Sequence, residues 1–281
     1  MNSVLDMNTD YLHRISKLSL FDDDFMNIVF QNDKCVQLLL DIILDHDTRI
    51  IDKDIQHRLD NIKGRTAIID MYIADDKGRY IDIEIQREDS QAIGKRAGYH
   101  ASALKTNVTE KGTEWKEIPE ICIIFITEND VIGEGLPIYH IERRIEENGK
   151  KFEDGTHIIY VNGRNEEETR LGRLMRDLKS KDPREMYYKE LREEVRYYKE
   201  EKEGIEKMCK IFEEVEQRGV KIGKEQGKKE GIIIGQQKGI EINRIVSIQS
   251  LMKNLNLNIE EAMNVLSIPK EEQEHYTHLI H

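Results

Sequence analysis

Between Ala67 and Arg87 apolar and polar residues alternate with a period of two on either side of Asp76-Lys77-Gly78. That is the pattern of a β-hairpin whose three-residue loop sets Gly78 in the left-handed position. The loop predicts a register in which Asp75 faces Arg79, Tyr72 faces Asp82, Asp70 faces Glu84 and Ile68 faces Gln86. Opposed residues share a face, so Ile69, Met71, Ile73, Ile81, Ile83 and Ile85 form one apolar wall. Asp70, Asp82, Glu84 and Gln86 line the other face, which is expected to lie outside the core.

Before the hairpin, residues 1–20 are polar and read as extended or loosely helical. Phe25, Ile28, Val29, Val36, Leu39, Leu40 and Ile43 then recur at helical spacing behind Asp22-Asp23-Asp24, an N-terminal signal. They predict one helix, or two broken near Asn32. A strand within residues 50–60 would pair with the hairpin as a meander. Ser90 to Asn107 reads as a helix with Ala92, Ile93, Arg96, Ala97, Ala101 and Leu104 near one side; Lys95, Arg96, Tyr99 and His100 sit in its early turns. Ile121 to Ile126 is a continuous apolar run, the signature of a strand buried on both faces. Tyr139–Arg144 and His157–Val161 complete the expected strands.

From Glu166 onward the text is helical and charged, with an amphipathic stripe over 185–217 that includes Leu191, Val195, Met208 and Phe212. Gly219, Gly223, Gly227, Gly231, Gly235 and Gly239 follow at every fourth position, without the Gly-Lys-Ser/Thr ending of a phosphate loop. Such a run is either a linker or a helix in close contact with another, most simply in a homodimer through 219–239. Leu251 to Tyr276 reads as two or three short helices, with a capping box at Asn258 and Glu261 and Pro269 opening another. The expected organisation is an α/β core over 1–165, a charged helical segment over 166–218 and a third part over 219–281.

The 281 residues carry a net charge of −12 with 35% charged side chains, which counts against extensive wrapping of nucleic acid. The densest cationic stretch, Arg170, Arg173, Arg176, Lys179, Lys181 and Arg184, is the best candidate for phosphate contact. Cys35, Cys122 and Cys209 lack paired spacing, so neither a disulfide framework nor a zinc site is expected. No stretch reaches transmembrane length and no signal-peptide pattern opens the chain, so the expected compartment is the cytoplasm and no membrane partner is expected.

Like charges opposed across a ladder are destabilising. Asp70 against Glu84, with Asp82 beside them, is relieved either by solvent or by a divalent cation. Mg²⁺ takes one or two carboxylates together with water and phosphate oxygens. Asp24, near the start of the first helix, is a further candidate acid.

Asp70, thirteen residues, then Glu84-Ile85-Gln86 resembles the PD-(D/E)XK nuclease motif. Together with Lys95-Arg96-Ala97-Gly98-Tyr99, the text is similar to the Rpn family of recombination-promoting nucleases and transposases. The resemblance runs from Asp24 to about Met208 and into the glycine-rich tail. Two positions depart from the superfamily pattern: Ile69 replaces the proline, and Gln86 replaces the usual lysine, as is expected of this family. The resemblance implies an α/β restriction-endonuclease-like core with a mostly helical C-terminal extension, acting as a Mg²⁺-dependent endonuclease on double-stranded DNA. Asp70 and Glu84, with Asp82, would hold the metal; Gln86 would orient water, and Arg96 would supply the missing positive charge. Lys95, Tyr99, Arg170, Arg173 and Arg176 would contact DNA. The rival reading is a nuclease fold that binds nucleic acid or protein without cutting.

Overall fold

The computed structural model describes residues 2–45, 48–60 and 64–280, with side chains from residue 9 onward. The opening residues form a regular helix, α1 (Asn2–Lys17), and not an extended segment. Tyr11 and Ile15, four apart on one face, are buried and hold it. Helices α2 (Asp23–Val29) and α3 (Asp33–Ile43) are separate because Asn32 turns between them, its side chain accepting from the Lys34 amide as an N-cap. Phe25, Val29, Val36, Leu39 and Leu40, the periodic residues of the sequence, are fully buried.

Strands β1 (Ile50–Leu59), β2 (Ala67–Asp75) and β3 (Tyr80–Gln86) make the antiparallel meander. The loop has the expected form, with Gly78 at φ +75° and its amide donating to the Asp75 carbonyl at 3.1 Å. Tyr72 pairs with Asp82 and Ala74 with Tyr80, the register derived from that loop. Helix α4 (Gly94–Val108) starts later than the sequence suggests, after a 3-10 turn over Asp89–Gln91. It returns the chain to β4 (Ile121–Thr127), which pairs in parallel with β3, and every residue of which is buried. β6 (Thr156–Asn162) lies parallel to β4, and β5 (Ile138–Ile141) closes the edge, giving the order β1-β2-β3-β4-β6-β5. The chain is therefore a mixed α/β fold with a six-stranded sheet.

Two expectations about the hairpin are corrected. Asp82 and Glu84 do not face solvent: both are fully buried, because α4 lays Ala97, Ala101 and Leu104 over the face that also carries Ile121, Ile123 and Phe125. The apolar wall is also not continuous. Ile69 joins the cluster under α4 together with Leu59 and Ala67, so strict alternation fails at Asp70.

Helices α5 (Arg170–Lys179) and α6 (Lys189–Glu200) pack against α2 and α3. Their junction is fixed by the buried Asp177 carboxylate, which accepts the amides of Tyr187 and Tyr188 at 2.8 Å each. The chain divides into two compact units, Met1–Lys210 and Ile211–His281. The repeat glycines lie in one continuous helix, α7 (Lys202–Leu255), 54 residues long. In the second unit, Ile248 packs with Ala262, Met263, Ile268 and Tyr276 from α8 (Ile259–Val265) and α9 (Lys270–Ile280). The Asn258–Glu261 capping box is present. Among the described residues no helix is long and apolar enough to cross a membrane.

Candidate metal centre

Beyond the Met71–Ile83 pair, the β2–β3 ladder is closed by side chains and no longer by backbone alone. The Asp70 amide donates to Glu84 Oε1 at 3.1 Å, and the Ile85 amide donates to Asp70 Oδ2 at 3.1 Å. Each acid thus accepts a strand amide from the other strand. A carboxylate that substitutes for a ladder carbonyl is held in one orientation at the point where the strands part.

Gln86 and Arg96 close the arrangement. Arg96 donates through one terminal nitrogen to Glu84 Oε2 at 2.5 Å and through the other to Gln86 Oε1 at 3.2 Å and the Gln91 carbonyl at 2.9 Å. Because a guanidinium only donates, the Gln86 oxygen must face Arg96. Its NH₂ group then bonds Glu84 Oε2 at 3.0 Å and Asp70 Oδ2 at 3.3 Å. The Gln86 amide thus lies between the two carboxylates.

Sequence reasoning placed His100 in the right turn of α4 but gave it no role. It is buried, with Nδ1 at 2.9 Å from Asp82 Oδ2 and 3.6 Å from Glu84 Oε1. Arg96 Nε donates to His100 Nε2 at 3.3 Å, so the proton of the neutral ring is on Nδ1 and points at Asp82. The spacing of Arg96 and His100, four apart on one helical face, was the signal available. Asp82, Glu84 and His100 bring their ligand atoms within 4.8 Å of one another. From α2, the charge of Asp23 acts on Asp70.

Burial, and after it the crowding of carboxylates, sets the electrostatics. Burial pushes Asp70 up to about 6, and although the Ile85 amide bond opposes this, the charge of Asp23 adds to it. Glu84 is pushed up to about 9, first by burial and then by Asp82 and Asp70. Asp82 is raised well above the carboxylate range by burial and by Asp70. Burial also lowers His100, against the pull of Glu84, keeping the imidazole neutral. Three acids share a single guanidinium here, and Asp82 Oδ1 is buried without a hydrogen-bond partner.

The chain matches the family model described as PD-(D/E)XK nuclease family transposase over residues 28–228. The chain belongs to that family. Neither a curated protein nor a solved structure matches it. Two carboxylates and an imidazole with their ligand atoms close together, and an orphaned oxygen on one of the carboxylates, form a set that fits the divalent cations PD-(D/E)XK nucleases use.

The other candidate residues are placed less centrally. Lys95 is exposed beside Arg96, and Tyr99 donates its hydroxyl to the Arg65 carbonyl. Arg173 and Arg176 both pair with Glu168, at 3.1 and 2.6 Å, and Arg173 also lies over the Tyr187 ring. Lys179 pairs with Glu166 and Arg184 with Asp182, so acids inside the segment offset much of its charge. Arg170 is exposed at the start of α5.

Proposed function

We propose that this family member is a Mg²⁺-dependent endonuclease that hydrolyses phosphodiester bonds in double-stranded DNA in the cytoplasm, in recombination, transposition or defence of a mobile-element type. The observation that carries the reading is the parting of β2 and β3, where Asp70 and Glu84 each accept an amide of the other's strand and both accept from the Gln86 NH₂.

Asp70 and Glu84 would hold the cation, with the unpartnered Oδ1 of Asp82 as a third oxygen behind them. Bound there, Mg²⁺ would supply Lewis-acid polarisation of the phosphate and lower the pKa of water. Gln86 has no titratable proton; its NH₂ donates to both carboxylates and would orient a water, without deprotonating it, on leaving one of them. Arg96 is the cation within reach of the reacting phosphate. Its bond to Glu84 uses an oxygen that would also hold the metal, so on leaving Glu84 the Arg96 guanidinium would be available to the phosphate oxygens. His100 holds Asp82 and Arg96 in register from below.

Plasmid cleavage with Mg²⁺ is expected to disappear in Asp70→Ala and in Glu84→Gln, with both variants folded by circular dichroism. Full cleavage by either would remove the assignment. One observation favours the rival reading, a non-cutting nucleic-acid or protein-binding module: the Arg96–Glu84 pair already neutralises part of the cluster. A protein of that kind would bind duplex DNA and leave it intact with every divalent cation tried. The assembly proposed is a homodimer through the glycine repeat of α7.

A further inference from the structure

We propose that Gln56 is a positioning residue of the metal centre, its side-chain amide fixing the Asp70 carboxylate in the orientation that receives a cation. The inference rests on the reading of Asp70 as a metal ligand.

Among the described residues, five other than glycine have positive φ: Asp45, Gln56, Glu153, Asn256 and Ser267. Four of them lie in turns or loops; Gln56, at φ +57°, is inside a strand. The pairs on either side, Ile55 with Met71 and His57 with Ile69, are in register, so Gln56 stands opposite Asp70. A side chain is strained in this region of backbone space, and such strain persists only where surrounding contacts hold it. No mispairing explains it, because the register is the same before and after.

The contacts that hold it are polar. Gln56 Nε2 donates one hydrogen to Asp70 Oδ1 at 3.2 Å and the other to Asn27 Oδ1 at 3.1 Å. Both amide hydrogens are used, one on the acid and one on α2. On its other oxygen Asp70 takes the Ile85 amide and the Gln86 amide. Donors from β1 and β3 therefore grip the carboxylate from opposite sides and stop it rotating. The same alternation break that carries Ile69 under α4 occurs at this pair. Removing a group that orients a metal ligand typically weakens metal affinity 10- to 100-fold.

Glycine separates positioning from mere architecture, since it adopts φ +57° without strain but carries no amide. The measurement is a Mn²⁺ titration of full-length protein followed by the EPR signal of free Mn²⁺, with melting temperature recorded in EDTA. Gln56→Gly is expected to melt at or above the wild type and to bind Mn²⁺ about 10- to 100-fold more weakly. Gln56→Asn, which also tolerates the left-handed region but is one methylene too short, is expected to show the same loss and guards against a folding defect in the glycine variant. Wild-type Mn²⁺ affinity in either variant would overturn the inference while leaving the metal centre standing. No Mn²⁺ uptake by the wild type, or uptake unchanged in Asp70→Ala, would overturn the metal centre itself.

Discussion

Gln86 stands where the PD-(D/E)XK motif that this sequence resembles has a lysine. A lysine there would bring a charge; the glutamine brings two N–H donors in the same place and lends its oxygen to Arg96. Charge and orientation are thus divided between two side chains. Gln86→Leu is expected to lower single-turnover plasmid cleavage on the order of 10²-fold. Gln86→Lys is expected to remain active, because three carboxylates can accommodate two cations. An unchanged rate in the leucine variant would assign water orientation to Arg96. The buried acids also predict a pH dependence of stability. Asp70, Asp82 and Glu84 all have folded-state pKa values above their unfolded ones, so the metal-free fold binds more protons than the unfolded chain. Their contribution is fully present below pH 4 and is lost as pH rises through about 6 for Asp70 and about 9 for Glu84. In EDTA the melting temperature is expected to fall between pH 5 and 9, less so in Asp82→Asn; Mg²⁺ should flatten the decline. Equal slopes with and without Mg²⁺ would mean that the cation does not bind these acids.

At the scale of elements, periodicity carried most of the fold and failed where long-range packing decided. The hairpin register from the Ala74–Tyr80 pair to the Met71–Ile83 pair followed from Gly78 and alternation alone, whereas the expected Asp70–Glu84 and Ile68–Gln86 pairs lie beyond the end of the ladder; the apolar run of β4 announced its burial on both faces. The burial of Asp82 and Glu84 was not legible, because nothing in the hairpin says that α4 will cover its polar face. His100 was hidden for the same reason. The strained Gln56 lies in a strand whose text gives no turn signal. α7 poses the opposite problem. Its six repeat glycines cost roughly 1 kcal/mol each relative to alanine in a helix interior, about 6 kcal/mol in all, and beyond the helix's own adjacent backbone none has an atom within 4 Å of where a Cβ would sit. Exposed Ile232, Ile233 and Ile234 lie between Gly231 and Gly235. A second copy of the helix crossing there would repay the cost through close backbone contact. Replacing Gly227, Gly231 and Gly235 by alanine distinguishes the cases. In a solitary helix the change adds helix stability and leaves the sedimentation coefficient alone. In a dimer built on the glycine ridge it shifts the protein toward monomer, the outcome expected here; a wild-type protein that is monomeric well above micromolar concentration would end the dimer proposal.

For the whole molecule the question is how a chain of net charge −12 would hold the duplex DNA proposed as its substrate. Much of its positive charge is already committed: Arg79 to Asp75, Arg87 to Asp22 and Glu128, Arg96 to Glu84, and Arg173 and Arg176 to Glu168. A cation held by a carboxylate releases fewer counterions from DNA than a free one, so nonspecific binding should involve few phosphates. Lys95, exposed on the first turn of α4 and in none of these pairs, is placed to make one such contact beside the metal centre. The slope of log K against log salt is about −0.9 per phosphate neutralised. For Asp70→Ala, which should bind without cutting, fluorescence anisotropy with a duplex oligonucleotide should give a shallow slope, about −2 to −3 between 50 and 200 mM KCl. Lys95→Ala should make it shallower by about one. The bound state would then be held mainly through the cation shared between the carboxylates and the scissile phosphate, so removing Mg²⁺ should weaken the wild type more than removing Lys95. A slope of about −6 or steeper would mean that the cations of α5 leave their acids to take phosphates, and would move the DNA-binding surface from the α4 end of the site to that helix.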